Sequence, residues 1–133
     1  MGALIDSSLL VAAERGLVDL PALLRAEGDQ EVALSAVTAS ELMHGVHRAP
    51  RGKRRADREA FVEGLLTQIP VVPFDLLAAR THARLWAELA AKGAMVGERD
   101  LLIGATAMSR GFAVATRDAR SFPRIPGLSV LTW

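Results

Sequence analysis

The sequence predicts an α/β fold: a three-layer α/β/α domain with a central, mostly parallel sheet. Short apolar runs alternate with segments of helical composition along the whole chain, which places helices on both faces of the sheet. Half of the 133 residues are apolar, enough for a sizeable core without crosslinks. No repeat, low-complexity stretch or linker interrupts the pattern, so residues 1–133 read as a single domain.

The elements follow in order. Residues 2–5 read as a short buried strand that stops at Asp6. Ser7 and Ser8 then offer hydroxyls suited to capping a helix, which Leu9–Arg15 continues and Gly16 ends. Pro21 fits the first turn of a second helix that closes near Gly28. Residues 31–37 read as a strand. Thr38 caps the next helix, with Thr38-Ala-Ser-Glu41 at capping-box spacing. Pro50 and Gly52 break that helix. Residues 53–68 restart one, with Phe61, Leu65, Leu66 and Ile69 on an apolar stripe. Residues 71–74 form a short strand, Asp75 caps a helix over 76–92, and Gly93 ends it. Gly97 precedes a helix over 98–110, whose small residues predict tight packing against the sheet. Residues 112–115 form a strand running into Thr116-Arg-Asp118, and 128–131 form the last.

Composition excludes several classes of function. Without cysteine there is no disulfide framework and no thiolate zinc site. The first acid falls at position 6, inside what would be the apolar region of a signal peptide, and no apolar run approaches the ~20 residues of a membrane span. The expectation is a soluble, cytoplasmic protein with no membrane partner. A net charge of +1 argues against binding nucleic acid by bulk charge alone. The one strong local bias is Arg48-Ala-Pro-Arg-Gly-Lys-Arg-Arg-Ala-Asp-Arg58, with six basic residues and one acid.

Ligands of open α/β sheets bind beyond the carboxyl ends of the strands. Asp6 follows the first strand directly, and Asp118 follows the strand over 112–115. Glu41 lies one turn into the helix after strand 31–37, and Asp100 opens the helix over 98–110. Clustered carboxylates repel one another, and a hard divalent cation such as Mg²⁺ or Mn²⁺ relieves that repulsion. Such an ion activates water and binds phosphoryl oxygens, a route to phosphodiester hydrolysis without a protein nucleophile. Each acid also has a bland reading: Asp6 as helix cap, Glu41 as capping-box partner, Asp100 as helix-dipole acid, Asp118 as turn former. Asp6 fits its bland reading least, because Ser7 and Ser8 already supply cap groups.

These residues resemble PIN-domain ribonucleases, in particular the VapC-type toxin of VapBC toxin–antitoxin pairs. The resemblance rests on Leu4-Ile-Asp6-Ser-Ser, Ser35-Ala-Val-Thr38-Ala-Ser-Glu41-Leu42 with Gly45, and Asp100-Leu-Leu-Ile-Gly-Ala-Thr-Ala107. It continues through Ala115-Thr116-Arg117-Asp118 with Phe122, and Pro126-Gly127-Leu-Ser-Val130. The resemblance implies a Mg²⁺- or Mn²⁺-dependent endoribonuclease acting on transfer or ribosomal RNA. It implies Asp6 and Asp100 as principal metal ligands and Glu41 as a ligand directly or through water. It implies Asp118 as a fourth ligand, at a position that varies in the family between acid and amide, Thr116 as a supporting hydroxyl, and Ser7 or Ser8 as a hydrogen-bond donor to Asp6. A cognate VapB-type antitoxin, a toxin homodimer and a toxin–antitoxin hetero-oligomer are also implied.

Arg51, Lys53, Arg54 and Arg55, in the basic run after the Glu41 helix, are candidates for contact with RNA, as is Arg117 beside Asp118. Glu98 reads as a dipole-complementing surface acid. Glu41, His44 and His47 diverge around their helix, so a transition-metal site there is disfavoured, and RNA or a partner suits His44 better. His82 reads as a surface or partly buried residue, and Phe61 and Trp86 as core or subunit-packing residues. Six aromatics and no tyrosine leave base stacking a minor mode of RNA binding. Two rivals remain: a catalytically silent PIN-like module that binds RNA or a partner, and an α/β phosphatase or phospho-receiver domain with an aspartate nucleophile. The second lacks a late lysine, since Lys92 is the last.

Overall fold

A computed structural model describes residues 2–133. Its elements are β1 (Ala3–Ile5), α1 (Ser7–Glu14), α2 (Leu20–Ala26), β2 (Val32–Ser35), α3 (Ala36–Arg48) and α4 (Lys53–Gln68). They continue with β3 (Val71–Val72), α5 (Leu76–Ala91), α6 (Glu98–Ser109), β4 (Ala113–Thr116), a 3₁₀ turn (Phe122–Arg124) and β5 (Val130–Thr132). The strands form one sheet in the order β3-β2-β1-β4-β5, and every pairing is parallel. The α/β expectation holds, and the sheet is wholly rather than mostly parallel among the described residues.

Alternate strand residues serve different layers, as the two-residue period of a strand requires. Leu4, Ala33 and Val114 pack on one face with Leu85 and Leu89 of α5 and Leu101 and Ala105 of α6. Ala3, Ile5, Leu34 and Ala115 pack on the other with Leu9 and Leu10 of α1, Leu42 and Val46 of α3, and Val62 of α4. At Gly104 of α6 a Cβ would lie 2.7 Å from the Ile125 Cδ1 methyl, so a larger residue there would push that side chain aside.

The chain builds outward from β1 to β2 and β3, then crosses to lay β4 and β5 on the other side. The direction of winding therefore reverses between β1 and β4. The carboxyl ends of these two strands form the switch-point crevice where α/β sheets bind ligands.

Two helix starts differ from the sequence reading. Helix α3 begins at Ala36, not after Thr38. Ser35 Oγ caps it by accepting the Thr38 backbone N–H at 3.0 Å. The apolar Ala36 and Val37 look like strand in sequence, and the nearby capping-box spacing is incidental. Helix α1 is capped by Asp6 itself, whose Oδ2 accepts the Ser8 N–H at 3.4 Å. Ser7 and Ser8 lie inside that helix, so the capping role expected of them passes to the acid.

Candidate functional site at the β1–β4 crevice

Asp6 is anchored through backbone and side chain together. Its N–H donates to Ala115 O at 2.8 Å, continuing the β1–β4 pairing past the end of β1. Its Oδ2 accepts Ser8 Oγ–H at 2.8 Å and Thr116 Oγ1–H at 2.9 Å. The Ser8 hydroxyl in turn accepts the Arg117 backbone N–H at 3.1 Å, and Thr116 Oγ1 accepts that of Asp118 at 2.9 Å. Two hydroxyls thus tie the start of α1 to the loop after β4. Every side-chain hydrogen bond to Asp6 falls on Oδ2. Asp6 is 6% exposed, yet among the described residues no buried side-chain oxygen lacks a partner. Its other oxygen, Oδ1, therefore opens to solvent.

A pocket of about 390 Å³ lies over this carboxylate, lined by Asp6, Ser7, Ser8, Val11, Asp100, Asp118 and Phe122. Three of the four sequence-predicted acids thus meet in one depression. Glu41 lines a larger adjoining cleft of about 850 Å³ between α3 and α6, together with Ser40, His44, Arg48 and Arg99. Among the described residues no three acidic or histidine side chains converge on one shared ligand position. The acids ring the crevice rather than close over a single point.

Their electrostatics are coupled all the same. Burial raises the pKa of Glu41, the charges of Asp6 and Asp100 raise it further, and Arg99 opposes them. Burial likewise raises Asp100; the Ser121 hydroxyl counters this, while Asp6 and Asp118 add to the rise. Asp118 behaves in the opposite way. Its carboxylate turns to Arg120, which donates Nε to Oδ1 at 2.9 Å and Nη2 to Oδ2 at 3.0 Å, and this pairing holds its pKa low. Thr116, the last residue of β4, is fully buried among these groups.

The sequence-predicted basic side chains stand outside this pocket. None of Arg51, Lys53, Arg54, Arg55 and Arg117 lines the acidic pocket. The Arg55 guanidinium closes the end of α3, donating to His47 O at 2.7 Å and to Ala49 O at 2.8 and 3.0 Å. Lys53 pairs with Asp57 at 2.8 Å, and Arg51, Arg54 and Arg117 are exposed. Trp86 is 64% exposed and outside the core, whereas Phe61 packs against the α1–α4 layer. Sequence reasoning missed Arg99 and Arg120. Each lies within two residues of a predicted acid, and that proximity was the available signal.

The β1–β4 crevice can be set beside known proteins. A family model described as "PIN domain" matches residues 3–128. The chain belongs to the PIN-domain family. Within it, the chain groups with the VapC ribonucleases: it is 33% identical over 132 residues to Ribonuclease VapC1 of Rickettsia felis, a match that covers 99% of this chain and 96% of that one. It is 36% identical over 102 residues to the tRNA(fMet)-specific endonuclease VapC of Salmonella typhimurium, covering 77% of this chain and 75% of the relative. Among solved structures, the DNA-bound VapBC of Salmonella typhimurium superposes with a TM-score of 0.87 at 27% identity, covering 98% of this chain and 96% of that one.

Proposed function

We propose that this PIN domain, spanning residues 1–133, is a toxin endoribonuclease. In this reading it hydrolyses RNA phosphodiesters with a divalent cation held by Asp6 and Asp100, with Glu41 reaching the ion directly or through water and Asp118 as a further donor. Support for the activity comes from the VapC ribonuclease relatives. The observation that carries the site is the gathering of Asp6, Asp100 and Asp118 in one pocket, with Glu41 coupled to it by charge.

The donor set suits a hard cation. All four side chains offer carboxylate oxygens, and Asp6, which lines the pocket, keeps Oδ1 without a competing hydrogen bond among the described residues. The raised pKa values of Glu41 and Asp100 record charges crowded in a partly desolvated place, and positive charge would relieve them. Mg²⁺ or Mn²⁺ fits these donors. When bound, such an ion supplies Lewis acidity to the phosphodiester and makes water a stronger nucleophile.

This chain's own residues do the rest. Ser8 and Thr116 fix the Asp6 carboxylate through Oδ2, so that Oδ1 keeps one direction. They support the site through Asp6 rather than by touching RNA, as hydrogen-bonded outer partners of metal ligands do. Arg99, beside Glu41 in the larger cleft, and the exposed Arg117 supply positive charge for the RNA backbone on either side of the acids. Arg51 and Arg54 remain exposed for a longer RNA, while Arg55 is engaged by the carbonyls of α3.

The solved VapBC relatives support a VapB-type antitoxin partner and a hetero-oligomer for this chain, and the toxin homodimer rests on the family resemblance alone. No described helix is long and apolar enough to cross a membrane, and the cytoplasmic location is part of the toxin reading. The test is cleavage of transfer RNA and ribosomal RNA by the purified chain with Mg²⁺ or Mn²⁺, with and without EDTA, beside Asp6→Asn and Asp100→Asn. Metal-dependent cleavage that both substitutions abolish is expected. Cleavage that survives both would sink the site, and no cleavage of any RNA would return the chain to a silent binding module.

A further inference from the structure

The proposed chemistry gives Asp118 a place as a further donor but leaves its partner Arg120 without a task. Asp118 lines the same pocket as Asp6 and Asp100, yet both of its oxygens accept from Arg120, and Oδ1 also accepts the Arg120 backbone N–H at 3.1 Å. Resting in this way, the carboxylate has its charge answered from within the chain.

The pair is built to part. The Arg120 side chain is 89% exposed, so no packing holds it, and Asp118 is its only side-chain partner among the described residues. Other arginines of the chain are tied to structure. Arg55 is held by carbonyls at the end of α3, and Arg58 by Glu14 and Gly45 O. An exposed ion pair contributes little to stability, so breaking this one costs the fold little. The guanidinium fork that grips a carboxylate grips a phosphate equally well.

We propose that Arg120 is an exchangeable counter-ion: it neutralises Asp118 while the pocket is without a cation, and it passes to an RNA phosphate when a divalent cation takes the carboxylate. This rests on the metal-dependent ribonuclease reading. It makes Arg120 both a competitor of the metal and a contact for the substrate, and it couples the two binding events. Asp118 becomes a conditional ligand, available only after Arg120 has left.

Calorimetric titration of Mn²⁺ into the full chain tests the first half, on wild type, Arg120→Gln, Asp118→Asn and the double variant. Arg120→Gln is expected to bind Mn²⁺ several-fold more tightly, and to change nothing in the Asp118→Asn background. Anisotropy of a short fluorescent single-stranded RNA in EDTA, over a range of salt, tests the second half. In the Asp118→Asn background, where Arg120 is freed, Arg120→Gln is expected to weaken binding and to shrink the log–log salt slope by about 0.7, one phosphate contact on a single strand. Unchanged Mn²⁺ affinity in Arg120→Gln, an equal gain in the Asp118→Asn background, or an unchanged salt slope would each overturn the exchange while leaving the ribonuclease reading intact. A wild-type chain that binds no Mn²⁺ would overturn both.

Discussion

The crevice holds two kinds of carboxylate. Asp6, at a strand end, is satisfied: a backbone ladder bond fixes its main chain and two hydroxyls fix one oxygen. Glu41 and Asp100, carried on helices, are left in a partly buried setting where burial and neighbouring acids raise their pKa values. The first arrangement spends hydrogen bonds to secure direction. The second leaves charge in a desolvated place, with neighbouring acids adding to the cost, and a cation can relieve it. A metal site on a rigid sheet needs both, one donor with fixed aim and others that gain from the ion's arrival.

The largest expected effect treats the two kinds alike. Asp6→Asn and Asp100→Asn each lose a donor, and loss of several kcal/mol of transition-state stabilisation corresponds to a fall in RNA cleavage on the order of a thousandfold. Single-turnover cleavage measures it. Thr116→Ala should come next. It frees the aim of Asp6 without touching the donor atom, and loss of such an outer partner typically costs roughly 10–100-fold in metal affinity or activity. A Mn²⁺ titration with unchanged affinity would remove Thr116 from the site.

Stability should separate the two kinds. Asp6→Ala removes the cap of α1 and should cost about 1 kcal/mol in urea unfolding. Glu41→Gln should instead raise the melting temperature in EDTA near neutral pH, by roughly 1–3 °C once solvent screening is allowed for. The sign follows from linkage. Glu41 and Asp100 bind protons more tightly folded than unfolded, so their penalty is absent below the ordinary carboxylate range and grows as pH rises through the raised values. Metal-free stability should therefore fall across that window in wild type, and fall less in Glu41→Gln. Identical pH profiles would contradict the crowding.

The smallest effect lies outside the crevice. Arg55→Ala should cost about 1 kcal/mol by uncapping α3, and should raise the KM for RNA less than Arg54→Ala does. The reverse order would restore Arg55 as a contact.

Much of this was legible in the sequence, because strand ends and glycine stops are local signals. Asp6 could be placed at a strand end by the stop of an apolar run, and the alternation of elements predicted the parallel sheet that brings Asp118 beside it. The start of α3 was misread because Ala36 and Val37 suit strand and helix equally, and only the Ser35–Thr38 hydrogen bond decides between them. Asp6 as cap was passed over because two serines stood ready beside it, whereas the structure spends Ser8 on the Asp6 carboxylate and the loop after β4. The Arg55 pairing was not legible at all, and for Arg120 the nearness to Asp118 in sequence was a signal without a geometry. One depends on the corner between α3 and α4 and the other on the turn after β4, and charge in a sequence carries neither geometry.

Thermal unfolding of wild type and the Asp6→Asn/Asp100→Asn double variant, with increasing Mn²⁺ at pH 7.5, tests the shared cation site most directly. A ligand that binds only the folded chain stabilises it in proportion to the logarithm of its concentration above Kd. A concentration-dependent rise in wild type that is absent from the double variant is expected. Equal rises in both proteins, or none in either, would contradict a cation held between the strand-end and helix-borne carboxylates.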